Sequence, residues 1–173
     1  AFILDLKDPT TPGSFTSPSQ GVSSAQLTWI ASTETNFDNY EIWYGTNQSD
    51  VENRTGTAQE VDQVDDVSLA SISTTALTLN SLSNGTDYYA MLCAVDDYGN
   101  EVCTSSITFD TGSLPVIESI ETQQKTDGSG VVDVTIVFSD VDGDDSSRLK
   151  VEYSLNGGST WLDATVSETD GDT

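Results

Sequence analysis

The chain of 173 residues carries 29 Asp+Glu against 5 Lys+Arg and no His, a formal net charge of -24. A field of that sign repels phosphate backbones and anionic lipid surfaces, which excludes nucleic acid as a partner of the bulk surface. Without imidazole there is no Ser–His or Cys–His nucleophile pair and no His-ligated metal. The longest apolar run, Tyr88 to Val95, is far too short to span a bilayer, so a membrane-embedded chain is not expected.

In chain order, Ala1 to Leu6 is an apolar, β-prone stretch. It reads either as the first strand of its own sandwich or as an arm, residues 1–7, that adds a strand to a neighbouring sheet. Residues 8–21 are rich in Pro, Thr, Ser and Gly and form an extended lead-in. Short strand-like runs follow: Ala25–Trp29, Tyr40–Tyr44, Val67–Ile72, Ala76–Leu79, Tyr88–Asp96 and Val102–Phe109. No segment sustains a 3.6-residue period. Short strands with a turn every ten or so residues predict an all-β sandwich. Strand alternation turns Tyr88, Ala90, Leu92 and Ala94 inward and Tyr89, Met91, Cys93 and Val95 outward. Residues 47–66 are long, polar and acidic, and read as an elaborated loop of the kind that carries binding.

The two cysteines bracket the turn Asp96–Asn100. In a hairpin centred on Tyr98 they lie directly opposite one another, close enough for a cross-strand disulfide. That bond implies an oxidising compartment, and hence an extracellular or cell-surface location. The alternative is a pair of free thiols.

Several of these motifs resemble one family. Trp29 closes the second strand run. Tyr40-Glu41-Ile42-Trp43-Tyr44 is similar to a Tyr-x-Val-x-Tyr strand. Leu82-Ser83-Asn84-Gly85-Thr86-Asp87-Tyr88 is similar to a Leu-x-Pro-Gly-Thr-x-Tyr corner, with Asn84 in place of Pro. Ala94 to Glu101 resembles the Ala-Val-Asp-x-x-Gly-Asn-Glu hairpin of bacterial members. Residues 8–112 therefore resemble a fibronectin type III domain. The resemblance implies a sandwich in which Trp29, Tyr40 and Tyr88 are structural, with Tyr88 the corner tyrosine.

A break falls at Asp110–Pro115. Beyond it Val116–Thr122, Val131–Ser139, Leu149–Ser154 and Trp161–Val166 read as strands. Residues 113–173 look like the front of a second, Ig-like sandwich without its closing strands. The fold class is thus tandem Ig-like β-sandwiches, the second incomplete and closed either by further chain or by another chain.

Chemistry-bearing residues are few. Asp140, Asp142, Asp144 and Asp145 surround Gly143 and could offer oxygens to Ca²⁺, or form a plain acidic turn. The run departs from an EF-hand loop, with Val151 where a bidentate Glu belongs. Ser154 to Trp161 resembles an Asp-box, with Asn156 at the Asp position; such a hairpin is structural, pinned here by Asn156, Thr160 and Trp161. Asn47, Asn53 and Asn84 begin N-glycosylation sequons. Trp43 and Tyr89, facing outward, could form a carbohydrate platform together with the 47–66 loop.

No pair of carboxylates is singled out for catalysis, and an enzyme is not expected. The reading is a structural or adhesive module of a secreted or surface protein, partnered by other domains, copies of itself or surface glycans. An accessory carbohydrate-binding module of a larger enzyme and a filament subunit joined by strand exchange are the alternatives.

Overall fold

The structure, a computed structural model, describes residues 7–141 and 150–165. The chain divides into two compact units, residues 1–142 and 143–173.

Strand alternation between residues 19 and 110 builds two sheets. The smaller has the order β1 (Ser19–Gln20), β2 (Ser24–Thr28), β5 (Ala76–Asn80). The larger has the order β4 (Gln59–Val61), β3 (Phe37–Gly45), β6 (Asp87–Asp96), β7 (Glu101–Cys103), with β8 (Ile107–Asp110) continuing beside β6. Every pairing within these sheets is antiparallel. One apolar layer fills the space between the sheets. The smaller sheet contributes Ala25, Leu27, Trp29, Leu77 and Leu79; the larger contributes Tyr40, Ile42, Ala90, Leu92, Ala94 and Phe109. The period of two carries this layer, because each strand turns alternate side chains to the same side.

Trp29, Tyr40 and Tyr88 are all buried, as the resemblance implied. Tyr40 is wholly enclosed, edge-on to Trp29 at 5.6 Å between ring centroids. Its hydroxyl accepts from the Ser32 N–H at 2.7 Å and donates to the Ile72 carbonyl at 3.0 Å. It thereby ties the segment before β3 and the segment before β5 to one side chain. Tyr40→Phe is expected to cost about 1–3 kcal/mol, since it strands a buried donor and acceptor while leaving the ring's packing intact. Urea unfolding measures this, and a loss below about 0.5 kcal/mol would mean water replaces the hydroxyl. The Tyr88 hydroxyl accepts from Ser83 N–H at 3.0 Å, which is the corner-tyrosine bond.

Two strand expectations are corrected. Val67–Ile72 is not a strand: Val67–Ala70 forms a 3-10 turn, started by Asp66, whose carboxylate accepts from Ser68 N–H at 2.9 Å. Leu69 enters the core while Val67 stands 82% exposed, so the apolar residues here mark a plug and not a pleat. Val102–Phe109 is not one strand either. It breaks at Thr104, which donates its N–H to the Leu92 carbonyl and accepts the Leu92 N–H on its hydroxyl.

Downstream, β9 (Val116–Gln124) and β10 (Val132–Ser139) form an antiparallel hairpin with a register shift between Val137 and Phe138. In the second unit, β11 (Glu152–Tyr153) and β12 (Leu162–Asp163) form a shorter one. Its turn is pinned by Asn156, whose side chain accepts Thr160 N–H and donates to the Thr160 hydroxyl, both at 2.9 Å. Trp161 is 60% exposed, with its ring edge 3.8 Å from where a Cβ on Gly158 would lie. No described residue from 113 onward is buried. Of the four strands expected there, the first is longer than expected, the second starts one residue later, and the last two are reduced to Glu152–Tyr153 and Leu162–Asp163 among the described residues.

Candidate functional site

The middle of the larger sheet's outer face, expected to face solvent, is covered around Met91 and Cys93, while Trp43, Tyr89 and Val95 are half-buried and Glu60 is exposed. Alternation and register place Glu41 and Trp43 on this face of β3, and Tyr89, Met91, Cys93 and Val95 on β6. Glu101 and Cys103 join them from β7, and Glu60 from β4. The segment expected to be a polar loop folds over them. Residues Gln48–Asn53 form helix α1, whose Val51 is wholly buried against Met91 and Cys93. Trp43, Tyr89, Ala58 and Cys103 pack around this second apolar cluster.

Local sequence explains why a short helix forms there. Asn47 caps it, its side-chain oxygen accepting from Asp50 N–H at 3.2 Å. Arg54 ends it in the left-handed region with φ 54, and its N–H returns to the Asp50 and Val51 carbonyls. The Asp50 carboxylate accepts both the N–H and the hydroxyl of Thr57, and these bonds hold it below the usual carboxylate range. Gly56 (φ +59) is required, because a Cβ there would lie 2.5 Å from that carboxylate. On the far side, Ser106 donates to Glu52 at 2.6 Å and fastens the helix to the β7–β8 connection.

The disulfide forms as the spacing predicts. Cys93 and Cys103 are cross-strand partners with a Cα–Cα distance of 4.0 Å. The flanking hydrogen bonds, Asp96 N–H to Asn100 and Thr104 N–H to Leu92, make 93/103 a non-hydrogen-bonded pair, the closer of the two antiparallel classes. Cys93 is fully buried beneath α1, so the bond is outward from the main core yet sealed. The Glu101 carboxylate lies within 4.8 Å of both sulfurs, but sulfurs joined to each other are not available to a metal.

Arg54 closes the edge of this cover. Its guanidinium pairs with the Glu101 carboxylate and lies 6.0 Å from the Trp43 ring centroid. The expected Trp43–Tyr89 platform is therefore corrected: both rings pack into the second cluster, and Arg54 occupies a face of the indole. An acidic residue is trapped beside it. Burial pushes the Glu41 carboxyl up, and the neighbouring Glu101 and Glu60 charges push the same way; the Trp43 indole and Arg54 oppose them. Glu60 is also raised, by burial and then by Asp62 and Asp65.

A carboxyl raised on folding holds its proton longer in the native state. The native protein then binds more protons than the unfolded chain above the ordinary glutamate range, and the contribution of Glu41 to stability declines as pH rises through its raised value. Glu41→Gln is expected to raise Tm at neutral pH and to leave it nearly unchanged near pH ~4, where the wild-type carboxyl is protonated. Calorimetry at the two pH values checks this, and an equal shift at both would mean that charge is not the cause.

The remaining candidates lie elsewhere. Asn47, Asn53 and Asn84 are all exposed. Asn47 is the α1 cap, Asn53 donates its side-chain amide to the Ser49 carbonyl at 2.7 Å, and Asn84 sits in the corner turn. Asp140 is half-buried, while Asp142, Asp144 and Asp145 lie outside the described residues. Val51, Arg54 and Glu101 were missed in the sequence. The one available signal was a lone arginine in an acidic loop.

Two antiparallel sheets enclosing a Trp–Tyr core, with a corner tyrosine, define an Ig-like β-sandwich. The fibronectin type III domain family matches residues 10–110, and the chain belongs to that family. No curated protein matches it. Among solved structures, the chicken CNTN1 FN1-FN3 domains are similar at 21% identity and a TM-score of 0.48, covering 60% of this chain and 32% of that one. The fn3 domain of human collagen alpha-1(XX) chain is similar at 16% identity and a TM-score of 0.45, covering 64% and 92%. Domains of this family are typically extracellular structural or adhesive modules, and a disulfide fits an oxidising environment. No helix among the described residues is long and apolar enough to cross a membrane.

Proposed function

We propose that the chain is a non-enzymatic spacer or adhesive module of an extracellular or cell-surface protein, working mechanically and partnered by other domains or copies of itself. The observation that carries this reading is the second apolar cluster over the middle of the outer face. The larger sheet has an apolar layer on each side and a covalent tie between β6 and β7. A sheet packed on both faces and cross-linked resists deformation. Residues 113–173 are, in this reading, the front of a second sandwich, and the sequons at Asn47, Asn53 and Asn84 are exposed enough to carry glycans. Ca²⁺ at Asp140–Asp145 would stiffen the link. A melting temperature unchanged between chelator and added Ca²⁺ would remove the metal from this account.

Force spectroscopy on tandem copies tests the main reading. Each fibronectin-like unit is expected to unfold in one cooperative step. Reduction should lengthen that step by roughly 35 Å, because the separation of 10 residues between the cysteines is released at about 3.5 Å per residue. Units that extend without a distinct step would contradict a mechanical role.

A further inference from the structure

The seal over the disulfide is complete at one end only. Cys93 is wholly buried beneath α1, but Cys103 is half-buried. β7, which carries Cys103, pairs with β6 and stands at the edge of the sheet among the described strands. Exchange of a disulfide begins when a thiolate attacks one of its sulfurs and the other sulfur leaves, so access decides which sulfur is attacked. Here access favours Cys103, and Cys93 is the sulfur that leaves.

The charges at that end are also particular. Glu101, on the same face of β7 as Cys103, places its Oε1 3.3 Å from the Cys103 sulfur. A disulfide sulfur carries no proton, so this is a carboxylate in van der Waals contact with it. Arg54 pairs with Glu101 and also acts on Glu41 and Glu60, so one guanidinium stands among three carboxylates. Glu41 is the β3 residue directly opposite Cys93. We propose that Cys103 is an exchange site for outside thiols, and that Glu101 and Arg54 select those thiols by charge. A thiol carrying an ammonium group reacts readily there, and one carrying a second anion is turned away.

The incoming thiolate forms a bond to the Cys103 sulfur as the Cys93–Cys103 bond breaks, and Cys93 leaves as a thiolate that takes a proton from water. A second thiolate attacks the outer sulfur of the mixed disulfide and releases Cys103. Two outside thiols are thereby oxidised to one disulfide, and the two cysteines are reduced. During the first attack negative charge spreads over the sulfurs, one of which lies 3.3 Å from a carboxylate. Like charge at that range disfavours attack, and an ammonium on the reagent offsets it. A unit charge about 4 Å away in water changes a rate about fivefold.

The test follows reduction of the full 173-residue chain by cysteamine and by mercaptoethanesulfonate. Each rate is divided by that reagent's rate with hydroxyethyl disulfide, which removes its intrinsic nucleophilicity. In about 0.1 M NaCl the Debye length is ~10 Å, so charges far from Cys103 are screened. The ratio of the two normalised rates, cysteamine over mercaptoethanesulfonate, is expected to fall about fivefold in Glu101→Gln and to rise by about as much in Arg54→Gln. Both variants break the same ion pair, and loosening the cover would speed both reagents together. Only charge moves the ratio in opposite directions. Asp97→Asn, at an exposed position of the hairpin tip, should leave the ratio unchanged. Acid quenching, alkylation and peptide mapping should place the mixed disulfide on Cys103. A ratio that moves the same way in both variants or not at all, an equal change in Asp97→Asn, an adduct on Cys93, or no exchange until the chain is unfolded would each overturn the proposal.

Discussion

Replacing both cysteines, as Cys93→Ala with Cys103→Ala, is expected to cost the sandwich about 2–3 kcal/mol of stability. The bond closes a loop with a sequence separation of 10, and a cross-link of that size removes about that much denatured-chain freedom. Cys93 is also fully buried against Val51 and Met91, so truncation leaves a gap in the second cluster. The local turn works in the opposite direction. Asp96 is buried, which raises its carboxyl, yet its bonds from Asn100, Tyr98 and Gly99 outweigh burial and hold it below the ordinary range. That turn would keep β6 and β7 paired without the bond. Urea unfolding of the oxidised wild type against the double variant separates the two effects. A loss below about 1 kcal/mol would show that the turn alone sets the register.

Val51→Asp is expected to detach α1 while leaving the main core folded. A carboxylate at this wholly enclosed position has no partner, and burying it is far costlier than releasing a six-residue helix. The cost is therefore capped by local unfolding of the cover. Two observables follow. Trp43 emission should shift to the red as its ring meets water, and exchange protection should fall at residues 48–58 while the β2 and β6 amides keep theirs. Global loss of protection would mean that the second cluster is part of one cooperative unit with the first. The same variant exposes Trp43 and Tyr89, so a gain of glycan binding in Val51→Asp alone would revive a platform that the cover suppresses.

Much of the sandwich was legible because it rests on local chemistry. The alternation Tyr88, Ala90, Leu92, Ala94 identified the core face of β6. The spacing of Cys93 and Cys103 about Tyr98 predicted their register. The Leu82–Tyr88 corner predicted the Tyr88 hydroxyl bond. Where local pattern and tertiary context disagreed, context prevailed. Val67–Ile72 alternates like a strand, but Asp66 caps a turn there and one residue, Leu69, is drawn into the core. The second apolar layer was invisible for a related reason. Val51 is a single apolar residue in a polar stretch, and Met91 and Cys93 looked like ordinary outward positions.

What the sequence by itself determined is the fold family, the inner core, the disulfide partners and the acidic character. Each follows from residue type at short spacing: a period of two, a cysteine pair about a turn, a tyrosine a fixed distance after a leucine. What only the tertiary structure decided is the fate of the outer face. Whether Trp43 is a platform or a packed wall depends on the distance between a helix and a strand 30 or more residues apart in sequence, and on Arg54 reaching Glu101 across |i−j|=47. No short-range pattern encodes that distance, because it is set by how the whole chain closes around its core.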